Sequence, residues 1–399
     1  MRQGFPSSVF GPMSTEPLSL FVLAGEASGD RIAADLVRRL HQHRALEVTG
    51  VGGLELQGEG LNSLYPMSDL SVMGVSDVLK RLPLLLWRLR QTVAAIRRAK
   101  PDIVVLVDSQ VFSATIARRL RRKGYAGPLV LYVSPAFWAW RPQRAAELKP
   151  LFDEVLAVLP FEPAAMQRMG GPPAHYVGHN ALRRFAFRPE LPAKGPLLLL
   201  PGSRRGEIDR TLPMMRAVAE RLRDHGKLAG FVIPTPRPQL ERMRAAVADW
   251  PVPVEVISGE EAVRDAFAKA MAAVAVSGTV TLELAAAGVP TILTYVADAA
   301  QARGFLRYNV KFIGLPNIIA DRQVIPEMLF TEPQPAKLAE AAAALLDDPG
   351  AMAAQLKGFA EIRALMEKGA PEAPLEDPAE RVLAVLSARP AAHCSAIGV

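Results

Sequence analysis

Short apolar runs alternate with stretches of helical spacing along most of this chain. Five runs in the first half have the length and composition of buried strands: residues 20–25, 48–53, 102–108, 129–135 and 154–160. Five more follow a loop near residue 190: residues 196–203, 228–235, 254–259, 272–278 and 291–297. Because parallel strands need a crossover connection, which is usually a helix, this alternation predicts an α/β protein with parallel sheets.

Two such sets predict two Rossmann-like domains that flank a cleft, and 399 residues are too many for one ordinary core. We expect four parts: a loose leader over 1–18, a first domain over 19–188, a second domain over 189–350, and C-terminal helices and a tail over 351–399. The last part should pack back on the first domain or on a partner subunit. Near the end of the chain, the apolar pattern predicts helices at about 336–347 and 378–388.

The composition excludes several classes of protein. The single cysteine, Cys394, leaves no internal disulfide and no cysteine-based metal cluster. No apolar run reaches the ~20 residues that span a bilayer, and the N-terminus lacks the apolar region of a secretory signal. We therefore expect a cytoplasmic protein. Only His41 and His43 lie at metal-ligand spacing, on a surface helix end, so we expect no metal and no other cofactor.

The net charge of +7 is unevenly distributed, because seven Lys and Arg and no acidic residue lie between Lys80 and Lys100. Nucleic-acid motifs are absent, so nucleic acid is the least favoured anionic partner. Four apolar residues here form one helical stripe of the kind a core uses: Leu85, Leu89, Val93 and Ile96. The surplus apolar residues are Met73, Val75, Leu82, Leu84, Leu86 and Trp87. Docking on an anionic membrane face and a buried helix pair with a solvated basic face both fit this pattern.

Two candidate sites follow strands of the first domain. The turn after the first strand contains Gly25, Glu26, Ser28 and Gly29, which would let a substrate approach the backbone at a helix N-terminus. Taken alone, the turn is better explained by ordinary turn and cap chemistry, because a first turn with glycines is common, and it is not a dinucleotide fingerprint. Asp108 ends the strand in VVLVDSQVFS and is either a catalytic carboxylate or the cap of the next helix. From strand-end geometry alone, the cap is favoured.

Two turns of the second domain suit phosphates. The first contains Gly202, Ser203, Arg204 and Glu207, where backbone amides and a guanidinium would hold a diphosphate. The second contains Ser277, Gly278 and Thr279, with Glu283 one helical turn later to accept hydrogen bonds from ribose hydroxyls. The alternative for each turn is a capped or solvated helix start with a Glu. Two such turns in one domain favour a nucleotide.

An aromatic segment, YVSPAFWAWRPQRA, contains Trp138, Trp140 and Arg141. Core packing is the usual reason for such a cluster. Because Arg141 lies beside the tryptophans at a strand end, a substrate-facing wall is the alternative.

Several segments together resemble lipid-A-disaccharide synthases: AGEASGD, SVMGVSDVL, YVSPAFWAWRPQRA, LPFEP, YVGHN, PGSRRGE, SGTVTLELAAAGVP and LPNIIADRQVIPEML. The resemblance implies an inverting glycosyltransferase of the GT-B fold, without a metal, peripheral on the cytoplasmic face of the inner membrane. Its substrates would be UDP-2,3-diacylglucosamine and 2,3-diacylglucosamine 1-phosphate, and its products UDP and a β-1,6-linked disaccharide. It also implies a homodimer with exchanged C-terminal portions, and membrane contact from Met73 to about Trp87.

The resemblance assigns roles to single residues. It implies that Asp108 is the base for the acceptor hydroxyl and that Glu26 and Arg204 share the catalytic site. Glu283, Asn317 and Glu327 would border the nucleotide. The family's D-x-P-D-F-N motif reads Asp-Ser-Gln-Val-Phe-Ser over 108–113, so its proline, second Asp and Asn are changed. Two alternatives stay open: a UDP-N-acetylglucosamine 2-epimerase-like enzyme, and a non-catalytic membrane-associated homologue.

Overall fold

The computed structural model describes residues 16–70, 75–139, 141–202, 204–307 and 310–388. Its first sheet has seven strands: β1 (Leu18–Ala24), β2 (Leu46–Val51), β3 (Asn62–Ser63), β4 (Ile103–Val107), β5 (Leu129–Tyr132), β6 (Glu154–Ala157) and β7 (Ala174–Tyr176). All neighbours are parallel, in the order β3-β2-β1-β4-β5-β6-β7. The order reverses between β1 and β4, and a ligand crevice forms at such a point in open α/β sheets.

The second sheet has six strands: β8 (Gly195–Leu200), β9 (Leu228–Pro234), β10 (Val254–Ile257), β11 (Ala272–Val276), β12 (Thr291–Val296) and β13 (Glu327–Phe330). These strands are also all parallel, in the order β10-β9-β8-β11-β12-β13. Here the order reverses between β8 and β11. Each sheet therefore has one switch point, and both predicted phosphate turns follow the two strands at the second one.

Sixteen helices occur in the described residues. In the first half they are α1 (Ala27–His41), α2 (Leu54–Gly58), α3 (Val75–Ala99), α4 (Gln110–Arg122), α5 (Arg144–Leu148), α6 (Glu162–Arg168) and α7 (Ala181–Arg184). In the second half they are α8 (Arg205–Arg221), α9 (Leu240–Val247), α10 (Glu260–Lys269), α11 (Thr279–Ala287), α12 (Ala299–Arg307), α13 (Leu315–Ala320), α14 (Pro335–Asp347), α15 (Pro349–Lys368) and α16 (Pro378–Ser387). Single 3₁₀ turns lie at Met67–Asp69 and Arg237–Gln239.

The central strands are apolar along their whole length because helices cover both faces of each sheet. All five residues of β4 and all five of β11 are buried. Core residues of the first sheet divide into one cluster under α1 and another under α3 and α4. Two further clusters cover the faces of the second sheet. The prediction of an α/β fold with two parallel sheets is confirmed.

The C-terminal region contains a helix that the sequence pattern did not predict. Helix α15 has 20 residues and lies between the two predicted helices, before a small hairpin of β14 (Gly369–Ala370) and β15 (Ala373–Pro374). The Tyr176 hydroxyl on β7 donates to the Met366 carbonyl of α15 at 2.7 Å. Arg381 on α16 forms an ion pair of 2.7 Å with Glu154 on β6. These contacts bring the end of the chain back to the first sheet, while the domain limits at 188 and 350 stay predictions.

Candidate active site

Two acidic side chains follow the strands of the first switch point. Ala24 at the end of β1 is the register partner of Val107 at the end of β4, so the residues after them emerge side by side. These residues are Gly25, Glu26 and Asp108. The crevice that the topology opens at this point is therefore lined by two carboxyl groups.

Asp108 lies in a turn with unusual backbone geometry. Its φ is 54° and that of Ser109 is 44°, two successive left-handed residues that are uncommon outside glycine. Ser109, not Asp108, is the N-cap of α4, and its side chain makes no cap hydrogen bond. The Ser113 hydroxyl donates to the Asp108 carbonyl at 2.8 Å and holds the turn. The helix-cap alternative for Asp108 is therefore wrong, because another residue occupies the cap position.

The carboxyl of Asp108 has little access to water. Burial raises its pKa above the usual aspartate range, and the backbone N–H of Ser109 opposes part of this rise. A desolvated carboxylate is a stronger base than one in water, which suits removal of a proton from a hydroxyl group.

The charges of Asp108 and of Arg204, which follows the second sheet, both act on Glu26. Its pKa is raised first by partial burial and then by the negative charge of Asp108, and it is lowered by the positive charge of Arg204. Arg204 precedes α8, so its charge reaches Glu26 across the cleft between the sheets. The structure thus brings together the three residues predicted to be catalytic.

The remaining residues of the first turn, Ser28, Gly29 and Asp30, differ in burial and in contacts. Ser28 is exposed, and Gly29 is buried against Asp108, where a built Cβ would lie 3.6 Å from the Asp108 Cβ. Asp30 accepts hydrogen bonds from the backbone N–H groups of Gly53 at 2.7 Å and Glu55 at 3.0 Å. Asp30 therefore stabilises the start of α2.

The turn after β8 exposes Arg204 and uses Glu207 as a cap. Gly202 has a φ of 101°, and a Cβ there would lie 2.9 Å from the Glu207 Oε2, so the position needs glycine. Glu207 accepts from the backbone N–H of Arg204 at 3.4 Å and from its Nη1 at 3.3 Å. The Arg204 side chain remains 75% exposed. Ser203 lies outside the described residues.

A cavity of about 470 Å³ lies beside this turn, at the carboxyl ends of β8, β9, β10 and β11. Gly202, Glu207, Ser277, Gly278, Thr279 and Glu283 all line it. Thr279 begins α11, so the N-terminus of that helix opens into the cavity. The structure therefore gathers both predicted phosphate turns around one space of the size of a small-molecule site.

Glu283 is paired on the cavity wall. Arg184 Nη1 donates to Glu283 Oε1 at 2.5 Å. Burial raises the pKa of Glu283, and the charges of Arg184 and Arg31 lower it. Neither arginine was singled out from the sequence, because Arg31 comes from α1 and Arg184 from α7, far from Glu283 along the chain. The Ser277 hydroxyl donates to the Ile313 carbonyl at 2.8 Å, so it also supports the wall.

Asn317 and Glu327 form a hydrogen-bonded framework behind the site. The Asn317 side chain is fully buried, donates to Glu327 and to the Ile325 carbonyl, and accepts from the N–H groups of Val324 and Ile325. Glu327 accepts from the N–H groups of Ile313 and Gly314 at 2.9 Å. The pair fixes the loop that receives Ser277, and direct nucleotide binding by either residue stays a prediction.

Trp138 is held by a buried glutamate, Glu162, which no sequence pattern marks as a site residue. Its Nε1 donates to Glu162 at 3.3 Å, and its ring meets Phe161 edge to face at 5.0 Å. Burial raises the pKa of Glu162 to about 7, although Trp138 and two backbone N–H groups donate to the carboxylate. Arg141 is exposed with a φ of 52°, and Trp140 lies outside the described residues. The role of Trp138, Trp140 and Arg141 as a substrate wall stays a prediction.

In helix α3, the residues of the predicted apolar stripe are buried or packed against the core, and the surplus apolar residues are half-buried or exposed. Leu89, Val93 and Ile96 are buried and Leu85 packs against the same core. Leu84 is half-buried, whereas Leu82, Leu86 and Trp87 have exposures of 41%, 36% and 54%. Arg88 stacks on the Trp87 ring at 4.0 Å. Met73 and the side chain of Val75 lie outside the described part. No helix among the described residues is long and apolar enough to cross a membrane.

A family model described as lipid-A-disaccharide synthetase matches residues 20–374. The chain belongs to this family. A lipid-A-disaccharide synthase of Nitrobacter hamburgensis is 39% identical over 390 residues, which cover 95% of this chain and 98% of the relative. One of Rhodopseudomonas palustris strain CGA009 is 42% identical over 365 residues, covering 88% and 92%. The resemblance predicted from the motifs is confirmed.

Solved structures of sugar-nucleotide enzymes share the synthase fold. A Neisseria meningitidis UDP-GlcNAc 2-epimerase bound to UDP-GlcNAc has a TM-score of 0.57 at 12% identity, covering 88% of this chain and 97% of that one. A spinosyn rhamnosyltransferase with thymidine diphosphate has a TM-score of 0.57 at 16% identity, covering 92% and 99%. Such likeness shows the fold alone. The GT-B fold is confirmed, and family membership favours the synthase over the epimerase alternative.

Gly25 supplies a test of how tightly the Asp108 turn is packed. A Cβ on Gly25 would lie 2.1 Å from the Ser109 Oγ and 3.2 Å from the Ser109 Cβ. We expect Gly25→Ala to displace the turn and lower kcat/KM about 10- to 100-fold, since a catalytic group misplaced by ~1 Å costs about 100-fold. Ser109→Ala in the same chain should restore much of the loss. Gly226→Ala, with open space around the new methyl and a position before β9 at the opposite end of the second sheet, is the control. Equal activity of Gly25→Ala and Gly226→Ala would contradict this packing.

Proposed function

We propose that this chain transfers 2,3-diacylglucosamine from UDP-2,3-diacylglucosamine to the 6-hydroxyl of 2,3-diacylglucosamine 1-phosphate. The transfer inverts the anomeric centre and gives a β-1,6-linked disaccharide and UDP. Membership of the lipid-A-disaccharide synthase family supports the reaction. The observation that carries the assignment to residues is the meeting of Glu26 and Asp108 with Arg204 across the cleft.

The cavity of the second domain would hold the UDP part of the donor. Its volume of about 470 Å³ suits a nucleotide portion, and the turns at Gly202 and Gly278 present backbone to it. The diphosphate would lie near the N-termini of α8 and α11, where unpaired N–H groups and the helix dipole favour anions. Glu283 would accept from ribose hydroxyls through the oxygen that Arg184 does not occupy.

In the proposed reaction the acceptor 6-oxygen attacks the anomeric carbon on the face opposite UDP. The new carbon–oxygen bond forms as the bond to the β-phosphate oxygen breaks, and that electron pair leaves with UDP. The acceptor proton passes to the Asp108 carboxylate, whose raised pKa favours this transfer. Arg204 balances the charge that develops on the diphosphate. The Glu26 carboxylate would hold the Arg204 side chain in place beside the leaving group.

Replacement of the base tests the assignment. Purified protein is incubated with UDP-diacylglucosamine and the monosaccharide 1-phosphate, and disaccharide and UDP are measured. Asp108→Asn should lower kcat about 10²- to 10⁴-fold, the usual contribution of a general base. Asp102→Asn is the control, because that carboxylate binds the Ser19 N–H at the opposite end of the sheet. No product from the wild-type chain would favour the non-catalytic alternative.

The same variant has an expected effect on stability. The folded-state pKa of Asp108 is raised, so its contribution to stability is present below the ordinary aspartate pKa and is lost as the pH rises. At neutral pH, Asp108→Asn should therefore leave the free energy of unfolding unchanged or higher while activity is lost. The acidic limb of the wild-type pH–rate profile should lie above the ordinary aspartate pKa of about 3.9. A variant that is inactive because it is unfolded would contradict this reading.

We further propose that the exposed face of α3 docks on the anionic cytoplasmic surface of the inner membrane. Leu82, Leu86 and Trp87 are apolar and exposed, and Arg81 and Arg90 on the same helix are also exposed. Apolar side chains beside cationic ones suit insertion at a headgroup boundary. Such docking would bring the cleft to acylated substrates.

The homodimer that the family resemblance implies also stays a proposal, and light scattering after gel filtration tests it.

Vesicle binding tests the membrane proposal. Leu86→Ser combined with Trp87→Ser should reduce cosedimentation with phosphatidylglycerol-containing vesicles about tenfold or more, because each large apolar side chain contributes ~1.5–3 kcal/mol on burial. Raising the salt concentration should weaken binding of the wild type. Leu329→Ser removes a similarly exposed leucine from β13 in the other domain and should change nothing. Equal binding of the α3 variant and the wild type would refute the docking face.

A further inference from the structure

Arg31 is a cation at the donor cavity that is not in an ion pair with any described carboxylate. It lies in α1 of the first domain, yet it lines the cavity together with Gly202 and Gly278 of the second. Its Nε is buried and has no hydrogen-bond partner. In the part of the chain that the structure describes, no carboxylate forms an ion pair with Arg31. A buried N–H group without a partner is unfavourable, so this half-buried guanidinium is suited to bind an anion.

The carboxylates near Arg31 are already engaged. Asp30, its neighbour in sequence, accepts from backbone N–H groups at the start of α2. Glu283 accepts from Arg184 at 2.5 Å, and Arg31 acts on it only at longer range. Arg184 also approaches Glu260 at 3.4 Å, and Glu207 pairs with Arg204 at 3.3 Å, so the other two acidic wall residues have cations as well. Two cations of this wall therefore have no carboxylate paired with them among the described residues: the exposed Arg237, after β9, and Arg31, which α1 contributes from the first domain.

We infer that Arg31 binds the diphosphate of the sugar nucleotide across the cleft and so positions the donor against the acidic pair of the first domain. The inference rests on the proposed function, since it assigns a further residue to the same donor site. The two turns that lead into α8 and α11 would hold the diphosphate from one side. Arg31 would hold it from the other with a charge-assisted hydrogen bond.

This contact would couple donor binding to alignment of the active site. Arg31 is in the second turn of α1, and Glu26 immediately precedes the same helix. A diphosphate bound by both domains therefore fixes the distance between the donor and the carboxyl groups of Glu26 and Asp108. Arg31 is a donor-binding residue in this scheme, because it touches the leaving group and not the reacting hydroxyl.

Titration calorimetry with UDP and with uridine tests the inference. Arg31→Gln should weaken UDP binding about 10- to 100-fold, the range for loss of a hydrogen bond to a charged group. It should leave uridine binding within about twofold, since uridine has no phosphate. Arg31→Lys should recover part of the UDP affinity. Arg38→Gln on the same helix is the control, because Arg38 is 56% exposed and pairs with Glu59 on the surface.

The outcomes separate this inference from the proposed function. If Arg31→Gln weakens the binding of uridine and of UDP equally, or weakens the binding of neither, then Arg31 does not bind the diphosphate and the inference is overturned. If the wild type binds UDP in that experiment, the proposal that the cavity is the donor site still holds. If the wild-type chain binds neither UDP nor uridine, the proposed donor site itself fails. A larger KM for the donor in Arg31→Gln, with unchanged thermal unfolding, would support the inference independently of calorimetry.

Discussion

The arrangement of charges across the cleft is the constraint on which the site depends. Glu26 is subject to the negative charge of Asp108, which follows the same sheet, and to the positive charge of Arg204, which follows the other. Two carboxyl groups in a partly dry crevice repel each other, and an opposing cation reduces that cost. In the proposed reaction, the site is therefore complete only when the two halves of the chain face each other. Residues that follow the first sheet would supply acid–base chemistry, and residues that follow the second would bind the leaving group.

The fold produces this arrangement through its two switch points. The order of each sheet reverses at one place, and the chain leaves the sheet there through turns rich in small residues. At Gly25 the turn is small enough for Ser109 to pack against it, and at Gly202 it bends so that Glu207 can close over the backbone. The buried Asn317 and Glu327 then hold the loop behind Ser277. Rigid strands and saturated hydrogen bonds thus fix groups that the reaction needs at defined separations.

Much of this could be predicted from the sequence, and the limits have physical causes. Long apolar strands such as β4 and β11 are evident because both faces are buried, whereas β3 and β7, with two and three residues, are too short to show a pattern. Helix α15 was missed although its buried Met352, Leu356, Phe359 and Ile362 follow helical spacing, so the signal was present. Asp108 could not be distinguished from a cap locally, because only the backbone geometry of Ser109 decides it. Arg31 and Arg184 join the site through long-range folding, which no local pattern reveals.

The most direct measurement is the pKa of Glu26, followed by carbon-13 NMR of glutamate-labelled protein and assigned with Glu26→Gln. Because Arg204 lowers the Glu26 pKa and Asp108 raises it, Arg204→Gln should move the titration to higher pH and Asp108→Asn to lower pH. Arg205→Gln removes the adjacent, 82% exposed guanidinium and should leave it unchanged. A Glu26 pKa that is the same in the wild type, Arg204→Gln and Asp108→Asn would contradict a catalytic site shared between the two domains.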